Sequence, residues 1–251
     1  MWEVVIDMFT QLFLKNKDYI ISNRDYTFDY SNGLTRKIDM TLSGKYLSNY
    51  NMKIDTTILD RYPSKHDINK LINEIKKQEN INREIIIGNG ANGILQNIIK
   101  MIFIDKGNLV TPFYTFDEAE FAVTSLNGYT KRVYLDKYRI DFNKLYKSID
   151  CKTRMIYICN PNNPTGICIE SKEIIEFSKK IKNPVIVDES GIEFTNKKSI
   201  LDYNDLPNNL LVIRSFSKAY GIANLRIGYL VCTKEFKELY MKKIQLMNFL
   251  D

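Results

Sequence analysis

Along most of the chain, short apolar runs alternate with segments in which apolar residues recur every three or four positions. The apolar runs have the length of buried strands and fall at residues 85–87, 109–110, 132–135, 155–159, 185–187, 210–214 and 227–232. The periodic segments have the spacing of amphipathic helices and fall at residues 94–104, 116–126, 142–149 and 171–181. This repeated order of strand, helix and strand predicts an α/β fold with a mostly parallel sheet and helices on both faces.

The first 84 residues follow a less regular pattern. Residues 68–77 have helical spacing, whereas residues 26–29 and 37–42 fit extended chain. Residues 1–14 are apolar in places, but polar residues interrupt them and no basic stretch precedes them. We interpret this opening segment as an amphipathic helix, neither a signal peptide nor a membrane span, and residues 1–36 as an N-terminal extension of unknown role.

Composition and charge narrow the classes of function. Of the 251 residues, 44% are hydrophobic and 26% are charged, which is typical of a soluble globular protein with a sizeable core. The formal net charge is +6, but the 36 Lys and Arg residues are scattered among 30 Asp and Glu residues. This scatter favours a solvated surface over a nucleic-acid partner.

Cysteine and histidine usage argues against a metal site. The four cysteines, Cys151, Cys159, Cys168 and Cys232, form no CxxC pair, and His66 is the single histidine. A zinc site and a histidine-based catalytic triad are therefore not expected. Free thiols point to a reducing, cytoplasmic environment.

Because ligands of a parallel sheet bind beyond the carboxyl ends of its strands, the residues after each strand are the candidates for chemistry. Residues 88–93, Gly-Asn-Gly-Ala-Asn-Gly, follow the first strand, precede a helix and have the spacing G-x-G-x-x-G. A dinucleotide site would add an acidic residue at the end of the next strand, but that strand ends Val-Thr-Pro-Phe at 110–113. The motif therefore indicates a phosphate held by backbone amides at a helix N-terminus, or a structural tight turn.

Three further strand ends carry polar groups. Residues 160–166, Asn-Pro-Asn-Asn-Pro-Thr-Gly, form a rigid turn that presents amide side chains. Asp188 follows one fully apolar strand; Lys218 follows the next in the sequence Ser-Phe-Ser-Lys, with Arg226 eight residues later. Taken singly, Lys218 fits a surface lysine and Asp188 a helix cap. The Ser-x-x-Lys spacing also occurs in penicillin-recognising enzymes, but their companion Ser-Asp-Asn and Lys-Thr-Gly motifs are absent from this sequence.

Together, in this order and at this spacing, the four features resemble the class I and II aminotransferases, which depend on pyridoxal 5'-phosphate (PLP). The resemblance runs from about Arg61 to Cys232 and is strongest toward histidinol-phosphate aminotransferase and threonine-phosphate decarboxylase. It rests on residues 88–95, 160–166, 188–194 and 214–229. It implies the PLP-dependent transferase fold type I, with residues 37–232 as the cofactor-binding large domain. Residues 233–251 would begin a helix that leads to a small domain beyond this chain.

The resemblance also implies roles for residues around the cofactor. Lys218 would form the internal aldimine with PLP and later move the α-proton of the substrate. Asp188 would keep the pyridine nitrogen protonated, and Asn163 would donate a hydrogen bond to the phenolic oxygen of the ring. The cofactor phosphate would be bound by residues of two segments: Gly90, Ala91, Asn92, Ser215, Ser217 and Arg226.

Two aromatic residues complete the implied site. Tyr114 would stack on the ring, with a position in the core as the alternative. Tyr62 would reach the cofactor phosphate of a neighbouring subunit, so the resemblance implies a homodimer with shared sites. The implied ligands are PLP and a small-molecule amino donor or acceptor, and no metal, nucleic acid or membrane is expected as a partner.

The sequence departs from the family in two places. Gly191 stands in Asp-Glu-Ser-Gly where the family has Asp-Glu-Ala-Tyr or Asp-Glu-Ala-Phe, so no tyrosine hydroxyl shares the phenolic oxygen with Asn163. This change is expected to alter the pKa of the aldimine, and it favours the decarboxylase branch, which has Phe there. The chain also stops at Asp251, early in a helix expected over residues 234–249. In the family, the arginine that binds the substrate carboxylate lies in the sequence after the position that corresponds to Asp251.

The sequence therefore predicts a PLP-dependent aminotransferase that acts on a small amino acid or amino-acid phosphate through a Lys218 aldimine. Two alternatives remain open. One is a PLP-dependent decarboxylase of a phosphorylated amino acid, which uses the same aldimine. The other is a truncated PLP-binding protein with little activity.

Overall fold

The structure, a computed structural model, describes residues 64–136 and 138–248. Within these residues the helices, numbered in chain order, are α1 (Lys65–Gln78), α2 (Gly90–Ile102), α3 (Glu118–Ser125), α4 (Phe142–Ser148), α5 (Ser171–Lys179) and α6 (Lys234–Asn248). The strands are β1 (Glu84–Asn89), β2 (Asn108–Pro112), β3 (Tyr129–Val133), β4 (Thr153–Cys159), β5 (Val185–Asp188), β6 (Leu210–Ser215) and β7 (Ile227–Cys232). Short 3₁₀ turns lie at Ile192–Phe194, Ile200–Asp202 and Ala223–Leu225.

The strands form a 7-stranded sheet with the order β1-β7-β6-β5-β4-β2-β3. Strands β3, β2, β4, β5 and β6 run parallel to one another, and β7 is antiparallel to both β1 and β6. Helices α3, α4 and α5 lie in the connections between the parallel strands, as crossover connections require. The predicted α/β fold with a mostly parallel sheet is confirmed.

Apolar side chains cover both faces of the sheet. Helices α1, α4 and α5 pack on one face, where Ile156 and Val187 are buried, and we call it the α1 face. Helices α2, α3 and α6 pack on the other face, where Tyr157 and Ile186 are buried, and we call it the α2 face. Since successive residues of a strand point to opposite faces, burial on both sides accounts for the continuous apolar runs of the central strands.

One strand differs from its predicted position. The third strand spans Tyr129–Val133, whereas the sequence pattern predicted residues 132–135. It pairs in parallel with β2, and Tyr129 stands opposite Asn108. Since β3 is an edge strand whose residues are mostly exposed or half-buried, apolar content was a poor guide to its bounds.

The glycine segment is the junction of a strand and a helix. Helix α2 begins at Gly90, directly after β1 ends at Asn89, so residues 91–93 already belong to the first helical turn. Gly90 has a positive φ of 67°, which makes the sharp turn between the two elements. The topology also contradicts the dinucleotide alternative. In that fold the first two strands are parallel neighbours, but here β7, β6, β5 and β4 separate β1 from β2.

Several parts of the sequence-based interpretation lie outside the described residues. These are the helix expected over residues 1–14, the extended segments at 26–29 and 37–42, and Tyr62. At the other end, α6 packs against α2, where the Asn97 amide donates to the Tyr240 hydroxyl oxygen at 3.1 Å. No helix among the described residues is long and apolar enough to cross a membrane.

Candidate functional site

Asp188, the last residue of β5, is firmly held at the carboxyl edge of the sheet. It is buried, and both of its oxygens accept hydrogen bonds: Oδ1 from the Ser190 amide at 2.9 Å and Oδ2 from the Tyr157 hydroxyl at 3.1 Å. A buried carboxylate without donors would be costly. A carboxylate offers about four lone-pair sites, so two donors leave it able to accept from a ligand.

Asp188 and the neighbouring Glu189 point to opposite faces of the sheet, as successive residues of a strand do. Asp188 lies two residues after Ile186 of the α2 face, and it bonds Tyr157 of that face. Glu189 turns to the opposite side, where it accepts from the Ile200 amide at 2.8 Å and lies 3.5 Å from the Arg214 guanidinium. Of these two adjacent carboxylates, Asp188 therefore shares a face with helix α2.

The N-terminus of α2 lies at the same edge of the sheet and offers backbone donors. The residue before the helix, Asn89, makes no side-chain capping hydrogen bond. The first amides of a helix have no intrahelical acceptor, and here they belong to Gly90, Ala91 and Asn92. The Asn92 side chain donates to Glu118 at 3.4 Å. The positive end of the helix dipole at this point favours an anion.

Arg226 adds a full positive charge to this helix end. A Cβ on Gly90 would lie 2.7 Å from Arg226 Nη2, so the guanidinium rests directly against the glycine. Arg226 Nη1 donates to Ser217 Oγ at 3.4 Å and to the Ala223 carbonyl at 3.2 Å, which holds the side chain in place. Helix amides and a guanidinium fork thus converge on one place, and this combination suits a phosphate.

Gly228 of β7 allows the helix to approach the sheet this closely. A Cβ at this position would lie 2.7 Å from the Ala91 amide nitrogen and 2.9 Å from the Arg214 carbonyl oxygen. Both contacts are shorter than real Cβ contacts, and both involve backbone atoms that cannot turn aside. Glycine is therefore required here for packing of the α2 N-terminus.

Lys218 lies in the connection between β6 and β7. Before it, Ser215 is buried at the end of β6 and accepts from the Ser217 amide at 3.1 Å. Lys218 is half-buried, and its charge acts on the thiol of Cys159 at the end of β4. Because Cys159 stands opposite Asp188 in the sheet, the lysine and the aspartate lie at the same edge.

The turn at residues 160–166 contacts the loop that follows β2. Asn162 is buried and donates to the Tyr114 carbonyl at 2.7 Å and to Thr165 Oγ1 at 2.8 Å. Asn163, the residue predicted to bind the phenolic oxygen, is exposed. Tyr114 is 49% exposed and meets Phe113 edge-on with ring centroids 4.9 Å apart, so it is not a core residue.

The structure thus brings most of the predicted site residues to one edge of the sheet, and it leaves space at Gly191. A Cβ on Gly191 would meet nothing closer than Pro161 Cδ at 3.9 Å. A side chain could therefore begin at this position without a clash at its Cβ.

Comparison with known proteins decides the family. The family model described as "Aminotransferase class I and II" matches residues 55–251. The chain belongs to the class I and II aminotransferases. Its curated relatives include histidinol-phosphate aminotransferase 2 of Carboxydothermus hydrogenoformans, which is 37% identical over 157 residues, 58% of this chain and 42% of that protein. This class I and II aminotransferase chain spans about half the length of the curated relatives it matches.

Solved structures agree with this assignment. Histidinol-phosphate aminotransferase from Sinorhizobium meliloti, in complex with pyridoxal-5'-phosphate, has a TM-score of 0.58 at 26% identity, over 63% of this chain and 44% of that one. L-threonine-O-3-phosphate decarboxylase from Porphyromonas gingivalis has a TM-score of 0.55 at 25% identity. The match covers 67% of this chain and 50% of the decarboxylase chain. The aminotransferase chain therefore has the PLP-dependent fold type I, as its sequence motifs predicted.

Sequence reasoning missed a buried ion cluster on the α1 face of this aminotransferase. Arg214 of β6 lies 2.7 Å from Glu193, 3.5 Å from Glu189 and 3.6 Å from Glu79. Burial raises the pKa of Glu189 to about 7, although Arg214 and hydrogen bonds from Ile200 and Ser199 act in the opposite direction. A charged residue inside an otherwise apolar strand was the signal that could have marked this cluster.

Sequence reasoning also missed Tyr157. It stands in the apolar run of β4, where a tyrosine is most simply read as a core residue. The hydrogen bond to Asp188 crosses from one strand to the next and joins residues 31 positions apart, so no local pattern marks it.

Proposed function

We propose that the protein binds PLP and transaminates a small amino acid or an amino-acid phosphate. The observation that carries this proposal is the grouping at one sheet edge of a fixed carboxylate, a half-buried lysine and an anion site built from helix amides and a guanidinium. These are Asp188, Lys218 and the α2 N-terminus with Arg226. Membership of the aminotransferase family and the PLP complex of the S. meliloti relative support the same cofactor.

The anion site fits the phosphate group of the cofactor. Helix amides and an arginine fork are donors that match a phosphate dianion. A Cβ at Gly90 or Gly228 would fill the space where these donors converge. We therefore assign the phosphate to Gly90, Ala91, Asn92, Ser215, Ser217 and Arg226.

The remaining residues fit the reactive end of the cofactor. When bound, PLP supplies an aldehyde that condenses with amines and a ring that withdraws electrons from the α-carbon of the substrate. Asp188 would hold the proton on the ring nitrogen, because its buried carboxylate is fixed in orientation. Lys218 Nζ would hold the cofactor and then, as a free amine, take the proton from the α-carbon and return it to the product. Asn163 would donate to the phenolic oxygen, and Tyr114 would stack on the ring.

The partners follow from the same assignment. Tyr62 would reach the phosphate of the cofactor bound by a second copy, which makes the protein a homodimer with shared sites. The small-molecule partners would be an amino donor and an amino acceptor. We place the protein in the cytoplasm, and the free state of the cysteines in the described residues supports a reducing compartment.

A second function, α-decarboxylation of a phosphorylated amino acid, is favoured by Gly191 and by the likeness to the P. gingivalis decarboxylase. Gly191 brings no hydroxyl to the site, in common with the Phe of the decarboxylase branch. Product analysis separates the two reactions, because transamination yields a keto acid and decarboxylation yields carbon dioxide.

The first prediction is that PLP attaches to Lys218. Purified protein supplied with PLP should gain a visible absorption band, and borohydride should then fix the cofactor to the peptide that contains Lys218. Lys218→Arg should lose the band and the label, because a guanidinium does not condense with the aldehyde. Lys234→Arg, a change in an exposed lysine of α6, should keep both. A label on another lysine would show that the assignment is wrong.

The second prediction concerns the fit of α2 against the sheet. Gly228→Ala should weaken PLP binding about tenfold or more, because the added Cβ would push the Ala91 amide and its helix turn away from their positions. Gly191→Ala is the matched control, since it adds the same atom near the site but into open space, at a φ of −131°. Equal PLP dissociation constants for the two variants, measured by titration of the absorption band, would contradict this account of the phosphate site.

A further inference from the structure

Tyr157 is a buried polar residue to which the reactions above give no role. Its side chain is fully buried on the α2 face, and its hydroxyl donates to Asp188 Oδ2 at 3.1 Å. Its backbone carbonyl accepts from the Thr111 hydroxyl at 3.0 Å, which ties β4 to β2 at this level. The backbone of Tyr157 is therefore held in place, and its hydroxyl donates to a carboxylate.

The surroundings keep this hydroxyl protonated, so that it acts as a donor. Burial raises the pKa of Tyr157 well above its ordinary value, and the charge of Asp188 raises it further. The other titratable group beside it is Cys159, whose pKa is raised to about 12 by burial and by Asp188. Neither group competes with Asp188 for the role of acceptor at neutral pH.

The geometry also shows what the bond does to the carboxylate. Asp188 Oδ1 is held from the loop side by the Ser190 amide at 2.9 Å, and Oδ2 is held from the neighbouring strand by Tyr157. With one donor the carboxylate can rotate about its Cβ–Cγ bond, whereas two donors on different oxygens fix its plane. The carboxylate is only 6% exposed, so water has little room to replace either donor.

We propose that Tyr157 is a positioning residue for Asp188: its hydroxyl fixes the plane of the carboxylate that faces the cofactor ring. This inference rests on the proposed function, because it gives Asp188 the ring nitrogen as its partner. Tyr157 acts through Asp188 and does not itself touch the cofactor, since its side chain is completely buried in the core of the α2 face.

The test compares two tyrosine-to-phenylalanine variants that each lose one hydrogen bond of a buried tyrosine on the same face. Tyr157→Phe removes the donor to Asp188, and Tyr240→Phe removes the acceptor of the Asn97 amide between α6 and α2. The measurement is the dissociation constant of PLP itself, obtained by titrating the absorption band at constant pH. Tyr157→Phe should raise this constant about tenfold, the size expected for a hydrogen bond to a charged group. Tyr240→Phe should change it by less than about twofold.

A double-mutant cycle shows whether Tyr157 acts through Asp188. In an Asp188→Asn background, Tyr157→Phe should cause a much smaller further loss of PLP affinity, because the charge that it orients is gone and only a neutral hydrogen bond remains. An unchanged or lower dissociation constant in Tyr157→Phe alone would overturn the proposal. So would equal effects of the two tyrosine variants, or a full tenfold loss when Tyr157→Phe is added to Asp188→Asn. If the unmodified protein gives no absorption band and no borohydride label, it does not bind PLP, and the proposed function is wrong. If the unmodified protein binds PLP but the variants behave otherwise than expected, only the role of Tyr157 is wrong.

Discussion

Replacing Asp188 by asparagine is expected to lower the rate of the reaction with an amino acid by about 10³-fold. Removing one preorganised charge or donor from an active site commonly costs between about 10² and 10³ in rate. An asparagine cannot hold the proton on the ring nitrogen, so the ring would lose most of its power to accept electrons. The fold should survive, because the Asn oxygen can accept from the Ser190 amide while the Tyr157 hydroxyl accepts from the Asn amino group.

The measurement is a stopped-flow record of the bound cofactor band after mixing with each of a panel of L-amino acids and their phosphate esters. Thermal melting of the variant without PLP checks that folding is intact. Glu189→Gln is the matched control, because it neutralises the adjacent carboxylate, which lies on the opposite face of the sheet. It should keep a rate within a few-fold of the unmodified protein. An Asp188→Asn variant with a near-normal rate, or a Glu189→Gln variant that loses as much, would contradict the assigned role of Asp188.

The central part of the fold was predictable because it is buried on both sides. Strands β4, β5, β6 and β7 are mostly apolar, and the sequence pattern located each of them to within two residues. The edge strand β3 was misplaced, since an exposed strand carries little apolar signal. The start of α2 was also misplaced, because glycines in a first helical turn look like a loop.

The sequence also predicted where the main polar groups of the site lie. Asp188 and Lys218 follow buried strands, so their position at the ligand-binding edge follows from the fold alone. The side chains that contact the buried charged groups Asp188 and Arg214 could not be predicted. Strand order and register bring Tyr157 beside Asp188 on the α2 face. On the opposite face, the packing of the end of α1 and of the turn Ile192–Phe194 brings Glu79 and Glu193 to Arg214.

The ion cluster on the α1 face gives the largest expected effect on stability. Arg214→Met should lower the free energy of unfolding at neutral pH by about 3–5 kcal/mol, because it removes one member of a buried ion pair and leaves its partners uncompensated. Three carboxylates, Glu79, Glu189 and Glu193, face the single guanidinium of Arg214. Without the guanidinium they would repel one another inside the protein.

The stability that Arg214→Met loses should increase with pH. The pKa of Glu189 rises from 4.5 in the unfolded chain to about 7 in the fold, so the folded state binds the proton more tightly. Stability from this group is present below pH 4.5 and is lost as the pH rises toward about 7. Removing Arg214 should raise the pKa of Glu189 further, because the guanidinium acts to lower it. The variant should therefore be least stable relative to the unmodified protein above pH 7 and recover part of the difference near pH 5.

Urea unfolding of both proteins across this pH range measures the difference directly. Arg83→Met is the matched control, because the hydrogen bonds of that guanidinium go to the backbone carbonyls of Leu206, Pro207 and Leu210. Its loss of stability should be nearly independent of pH, since it leaves no carboxylate cluster behind. Glu189→Gln should flatten the pH dependence of the otherwise unmodified protein between pH 4.5 and about 7. A loss in Arg214→Met that is equal at pH 5 and pH 8 would show that packing, and not the charge of the three carboxylates, accounts for the role of Arg214.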